Sequence, residues 1–200
     1  MVDKNIIEFW DWFTANSSNL NSDKISNMLI NELNNRILLL GDYNWEIREG
    51  NNKPNMLIIS PGGDINLLES TKKIVSLSPA LMEWEFYYYK PEKKWNYQFS
   101  IEDDDGVKRM VNATDWEYVL LKFDDGTYDI IIKADSLKTL SEQKRLTAVD
   151  IVLESILGEE ISLLFIKNIE IVEGFSGEYF PKKNTIKFLR EHIKELEHLS

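Results

Sequence analysis

The chain has 200 residues, 43% of them hydrophobic and 12% aromatic, enough to bury a sizeable core and too apolar for a disordered or low-complexity segment. It contains no cysteine, which excludes a disulfide framework, a thiolate nucleophile and a cysteine metal cluster, and no apolar run approaches the ~20 residues that span a bilayer. Its formal net charge is −11, from 34 acidic and 23 basic residues, a field that repels phosphate backbones and attracts cationic partners.

Met1-Val2-Asp3-Lys4 leads into an aromatic helix, not into the basic start and smooth apolar run of a signal peptide, so a cytoplasmic location is expected. Asp3 is the expected N-cap of a helix from about Lys4 to Ala15, with Ile6, Phe9, Trp10 and Phe13 on one face at i, i+3, i+4 and i+7 and Trp12 off it. A polar loop, Asn16 to Asn21, precedes a second helix from about Asp23 to Leu38, with Ile25, Met28, Leu29, Leu33 and Ile37 inward and Gly41-Asp42 as its stop. Residues 1–40 thus read as a helical cap.

Residues 43–90 read as strand, strand, helix, strand. Trp45-Glu46-Ile47 opens the first strand, Met56 to Ser60 forms the second, Asn66 to Leu77 is helical, and Ser78-Pro79 closes the helix. Glu83 to Lys90 alternates, with Trp84, Phe86 and Tyr88 on one side and Glu83, Glu85, Tyr87 and Tyr89 on the other. Between the second strand and the helix, Ser60, Gly62, Gly63 and Asp64 form a glycine turn whose setting suits anion binding at a helix N-terminus. The spacing matches neither the P-loop nor the dinucleotide fingerprint, and a strand-to-helix turn capped by Asp64 accounts for it.

Pro91 to Lys94 is a basic turn and Trp95 to Ile101 a further strand. Glu102 to Gly106 resembles a calcium loop, but with Gly106 at the sixth position Ile101 falls first and Asn112 falls where the bidentate Glu belongs. Residues 115–173 repeat the earlier order. Trp116 to Lys122 and Tyr128 to Ile132 are β-branched and aromatic runs joined at Asp125-Gly126, a hairpin signal. From Ser141, Leu146, Val149, Leu153 and Ile156 recur at helical spacing until Gly158, and the apolar run Ile161 to Ile166 reads as a strand. Phe175 to Asn184 is a connection. The last helix, 184–199, carries Ile186, Leu189, Ile193 and Leu196 on a narrow stripe that suits docking on the domain or pairing with another chain. The expected fold is α+β: a single domain over 1–200 with two ββαβ units forming a largely antiparallel sheet, helices packed on one side, and helices at both termini.

Catalytic chemistry has few candidates. His192 and His198 are six apart on the last helix, without the i, i+4 spacing of a zinc helix, and read as solvated. There is no G-x-S-x-G elbow, and Glu159-Glu160, just past a helix end, read as solvated charges. No catalytic residue, metal ligand or cofactor is assigned. Lys90, Lys93 and Lys94 beside Trp95 make too short a basic cluster for nucleic acid. Nine acidic and three basic residues lie between Glu102 and Asp129, which concentrates negative charge on one hairpin and the loop before it. A surface of Asp103, Asp104, Asp105, Asp124 and Asp125, with Trp95 and Trp116 as aromatic anchors, would suit a partner protein with a basic surface.

Phe9-Trp10-Asp11-Trp12-Phe13, Leu57-Ile58-Ile59-Ser60 followed by Gly62 or Gly63, Ser78-Pro79 before Trp84, and Leu157-Gly158-Glu159 together resemble an uncharacterised family of bacterial proteins of about this length. The resemblance runs to about Glu173 and brings no activity, cofactor or site residue with it. The function expected from the residues is a non-catalytic binding or regulatory protein, in its specific form an immunity- or antitoxin-like inhibitor. The alternatives are a small-ligand protein or hydrolase with a site near the Ser60 to Asp64 turn, and a structural homodimer.

Overall fold

The computed structural model describes residues 2–21 and 25–197, with side chains from Lys4 onward. Asp3 as a capping side chain, Asp23 as a helix start and His198 lie outside the described residues. The fold is α+β, and the chain divides into two compact units, Met1–Lys90 and Pro91–Ser200.

The first unit begins with α1 (Val2–Asn16) and α2 (Asn27–Leu38) and continues with β1 (Asn44–Glu49), β2 (Asn55–Ser60), α3 (Leu68–Ser76) and β3 (Trp84–Tyr87). Its sheet has the order β1-β2-β3, with β1 and β2 antiparallel and β2 and β3 parallel across α3. The aromatic stripe of α1 drives the packing: Ile6, Phe9, Trp10 and Phe13 are buried with Leu57, Ile59 and Trp84. Phe13 meets Trp84 and Trp10 meets Phe86 edge-on, both at 4.9 Å between centroids. The Trp10 indole donates to the Ile74 carbonyl at 2.9 Å, so the same side chain that fills the core ties α1 to α3. Trp12, off the stripe, is half-buried beneath the Arg36 guanidinium at 4.7 Å. Met28, expected inward, is 74% exposed. Helix α2 starts at its Ser26 cap, and Met28 lies two and a half turns before the buried Ile37, on the opposite side.

The second unit opens with the hairpin β4 (Gln98–Glu102) and β5 (Lys108–Asn112). It continues with β6 (Glu117–Lys122), β7 (Tyr128–Lys133), α4 (Glu142–Leu157), α5 (Glu159–Phe165), β8 (Ile166–Val172), β9 (Asn184–Thr185) and α6 (Leu189–Glu197). Its larger sheet has the order β8-β7-β6-β9; β6 and β7 are antiparallel, and β7 and β8 parallel across the helices. Both units therefore contain strand, antiparallel strand, helical crossover and parallel strand in the same order, the repeat expected from the sequence. Among the described residues the strands lie in three sheets, the third being the β4-β5 hairpin.

Two local expectations are overturned in this unit. The run Ile161 to Ile166 is mostly helix α5, and the strand begins only at Ile166. A short apolar run has no period that separates strand from buried helix; here Gly158 closes α4, and Glu159 and Glu160 supply the acidic first turn of a new helix. Leu146 is exposed, because the inward stripe of α4 is Ala148, Val149, Val152, Leu153 and Ile156 and Leu146 lies at its edge. The terminal stripe docks: Ile186, Leu189 and Ile193 are fully buried in the same cluster as α4, so these side chains are spent within their own unit.

Candidate functional site

The acidic residues singled out by the sequence sit on two hairpin tips built alike. In the first, the Asp103 N–H donates to the Val107 carbonyl and the Gly106 N–H to the Asp103 carbonyl; in the second, Phe123 and Thr127, and Gly126 and Phe123, are joined in the same way. Gly106 and Gly126 have φ of 75° and 82°. This is a three-residue loop with a left-handed glycine, and an Asp-Asp-Gly sequence supplies it. The second aspartate of each turn is a working part: Asp105 accepts from the Val107 N–H at 3.0 Å, and Asp125 from the Thr127 N–H at 3.0 Å. The carboxylates of Asp104 and Asp124, one residue earlier, take no part in these bonds and are exposed.

Asp103 is not a surface group, contrary to expectation. It is 7% exposed, lies 3.1 Å from the Arg109 guanidinium, and accepts from the Ser141 N–H at 3.3 Å, so it completes the N-terminus of α4 from another element. Burial opposes its ionisation, yet the N–H groups of Asp104 and Ser141 together with Arg109 hold its pKa below the ordinary aspartate value. Arg109 also grips Asp105 through both oxygens, at 2.6 and 2.7 Å, and with the Val107 N–H this holds the Asp105 carboxyl well below the usual range. On the second tip, Thr127 and then Lys167, at 3.5 Å, lower the Asp125 pKa. Asp103 meets the start of α4, whereas Asp125 meets the start of β8. The whole of α4, about 24 Å long, separates those anchor points along the crossover.

The expected aromatic anchors are engaged internally. Trp116 is 2% exposed, and its indole donates to Ser136 Oγ at 2.8 Å while Ser136 donates to the Asn112 carbonyl at 2.8 Å; it is a core residue, not a contact residue. A tryptophan opening a strand is indistinguishable in sequence from an exposed one. Trp95 is half-buried against Tyr97 and Phe99, at 5.2 and 6.1 Å. Tyr97 itself has φ of 62°, a left-handed backbone that a bulky residue rarely adopts.

At the turn before α3, Ser60 is buried, Gly62, Gly63 and Asp64 are exposed, and Asp64 caps the following 3-10 turn by accepting from the Asn66 N–H at 2.9 Å. The capped-turn reading fits this geometry. Glu159, read as solvated, is 1% exposed. His192, also read as solvated, is half-buried on α6 with its Nδ1 2.9 Å from the Tyr118 hydroxyl. Burial, with Glu191 and Glu195 nearby, raises the Tyr118 pKa above the ordinary phenol value. Tyr128 bonds to Glu197, which Lys122 also engages at 2.6 Å, and these polar contacts fix α6 against the sheet.

Sequence reasoning missed a cleft of about 240 Å³ in the first unit, walled by Asn5 and Ile6 of α1, Leu39, Leu40 and Tyr43 after α2, and Ser70, Lys73 and Ile74 of α3. Its lining comes from three segments far apart in the chain, so no local motif signals it. The Ser60 to Asp64 turn contributes nothing to it. Among the described residues no group of three or more histidine, aspartate or glutamate side chains is placed to hold a metal, and no helix is long and apolar enough to cross a membrane. In comparisons with known proteins, no family model, curated protein or solved structure matches the chain.

Proposed function

We propose that this chain is a non-catalytic binding protein of the bacterial cytoplasm that meets a basic partner protein through its acidic hairpin tips. The observation that carries the reading is the repetition of one Asp-Asp-Gly turn at two hairpin ends, each leading with an exposed carboxylate, Asp104 and Asp124, that the turn does not use. With a net charge of −11, such tips favour encounter with a cationic surface and make the association fall as salt rises. An immunity- or antitoxin-like inhibitor, its partner a basic toxic enzyme, is the specific form. The resemblance to an uncharacterised bacterial family adds no activity to this reading.

The test is capture from native lysate at low and moderate salt with the wild-type chain and with the double variant Asp104→Asn, Asp124→Asn, followed by mass spectrometry. Asparagine preserves size and leaves Asp105 and Asp125, which shape the turns, in place. The expected result is a basic protein held in stoichiometric amount by wild type, lost as salt rises and weakened by the double variant. Capture indifferent to both salt and charge would defeat the electrostatic reading.

A further inference from the structure

In a chain of net charge −11, the outward face of α2 is uncharged: Asn27, Met28, Asn31, Asn34, Asn35 and Leu38 are its exposed residues there. We propose that this face pairs antiparallel with the same face of a second copy of the chain, forming a two-fold dimer through Met28, Asn31, Asn35 and Leu38. The inference is independent of the acidic tips, which lie in the other unit.

Helix spacing builds the stripe. Leu33 and Ile37 are the buried side of α2. Met28, Asn31, Asn35 and Leu38 stand at i, i+3, i+7 and i+10, the heptad spacing along which helices pair, and at 3.6 residues per turn they fall within about 80° of one another on the side away from Leu33. Met28 is 74% and Leu38 55% exposed, and Leu39, just past the helix end, is 75% exposed. The two charges of α2 are engaged beside the stripe: Glu32 and Arg36 bond each other at 2.9 Å, and the Arg36 guanidinium lies over the Trp12 ring. Among the described residues, the Asn31 and Asn35 side chains have no hydrogen-bond partner within the chain.

The stripe complements itself, which identifies the occupant. When two copies lie antiparallel with the two-fold axis at the level of Leu33, Met28 stands opposite the second copy's Leu38 and Asn31 opposite the second copy's Asn35, because both pairs are centred on position 33. Each contact occurs twice. Apolar side chains then meet at both ends, and amides that can each donate and accept meet in the middle. Asparagine at such a seam fixes register and orientation. Charge favours the same face, since repulsion between two copies of net charge −11 is least where neither presents a charge, and loss of charge with exposed methionine is the composition of an interface centre. A helix of 12 residues is about 18 Å long, so the contact falls below the ~1,200 Å² of a tight interface and the dimer is reversible.

The experiment is sedimentation equilibrium of the full chain at moderate salt, from roughly 5 to 500 μM, a range that brackets micromolar self-association. Two double variants accompany wild type. Asn31→Glu with Asn35→Glu sets carboxylates against carboxylates across the axis, whereas Asn31→Lys with Asn35→Glu sets each introduced ammonium against an introduced carboxylate, and does so only in the antiparallel register centred on position 33. Glutamate and lysine are better helix formers than asparagine, so α2 is kept in both, and circular dichroism verifies it. The wild-type mass should rise from monomer toward dimer with concentration, the doubly acidic variant should associate at least about tenfold more weakly, and the lysine-glutamate variant should restore dimerisation. The proposal is overturned if wild type is a monomer throughout, if the doubly acidic variant associates as tightly as wild type, or if the lysine-glutamate variant fails to restore the dimer.

Discussion

Tyr97 offers a test in which the sign of an effect, not only its size, is at stake. Its backbone is left-handed at φ 62°, held there by the Ala113 N–H donating to its carbonyl at 2.8 Å and by Asn96 Oδ1 accepting from the Gln98 N–H at 3.2 Å. For an L residue that conformation costs roughly 1–2 kcal/mol. The ring, half-buried against Trp95 with the Lys187 ammonium 5.9 Å from its centroid, recovers a similar amount, on the order of 1–2 kcal/mol for partial burial of an aromatic side chain. Tyr97→Ala loses the ring and keeps the strain, whereas Tyr97→Gly loses the ring and the strain together. Glycine should therefore be more stable than alanine here by about 1 kcal/mol, although in ordinary strands glycine is worse by about 0.5–1 kcal/mol. Tyr97→Gly should also lie within about 1 kcal/mol of wild type. Urea denaturation followed by circular dichroism reads the difference as a midpoint roughly 0.5 M higher for glycine, at a slope of about 2 kcal/mol/M. An alanine variant as stable as the glycine variant, or more so, would refute the left-handed backbone and the balance drawn from it.

Gly106→Ala and Gly126→Ala should each cost about 1 kcal/mol through backbone conformation alone, because a Cβ at either position meets no atom within 4 Å; Asn at the same sites should cost less, and urea midpoints compare them. Ser136→Ala should cost about 1–2 kcal/mol despite removing one oxygen, since it leaves the indole N–H of the buried Trp116 without its partner; thermal melting of Ser136→Ala against Ser136→Thr checks it. In acid, Asp103, Asp105 and Asp125 have folded-state pKa values below their unfolded ones, so their stabilisation is present above about pH 4 and is lost as pH falls further. Urea midpoints compared between neutral pH and acid should fall once the pH drops below about 4, and Asp105→Asn should flatten that fall; a pH-independent midpoint contradicts it.

What was legible in the sequence was whatever periodicity decides. The α1 stripe Ile6, Phe9, Trp10 and Phe13 and the Asp125-Gly126 hairpin appear where the pattern puts them, because amphipathic spacing and turn chemistry act locally. The ββαβ order of both units follows for the same reason. What failed was set by tertiary context: Ile161 to Phe165 is helical because Gly158 restarts the chain, and β5, in which Met110 and Val111 are the apolar residues of Lys108–Asn112, has no signature of its own.

The candidate site shows why composition alone misleads about acidic surfaces. Nine acids between Glu102 and Asp129 look like one negative field, yet their jobs are different. Asp103 is buried against α4, Asp105 and Asp125 close turns, and Glu117 is paired with Lys183 at 2.6 Å and Lys133 at 3.8 Å, where it ties β9 and β7 to β6. Aspartate is chosen at hairpin tips for its short acceptor as much as for its charge. Mutating every acid at once would therefore confound loss of folding with loss of binding. Asp104 and Asp124 separate the two, because their carboxylates can be neutralised without removing a turn hydrogen bond, and an effect confined to those positions would belong to recognition.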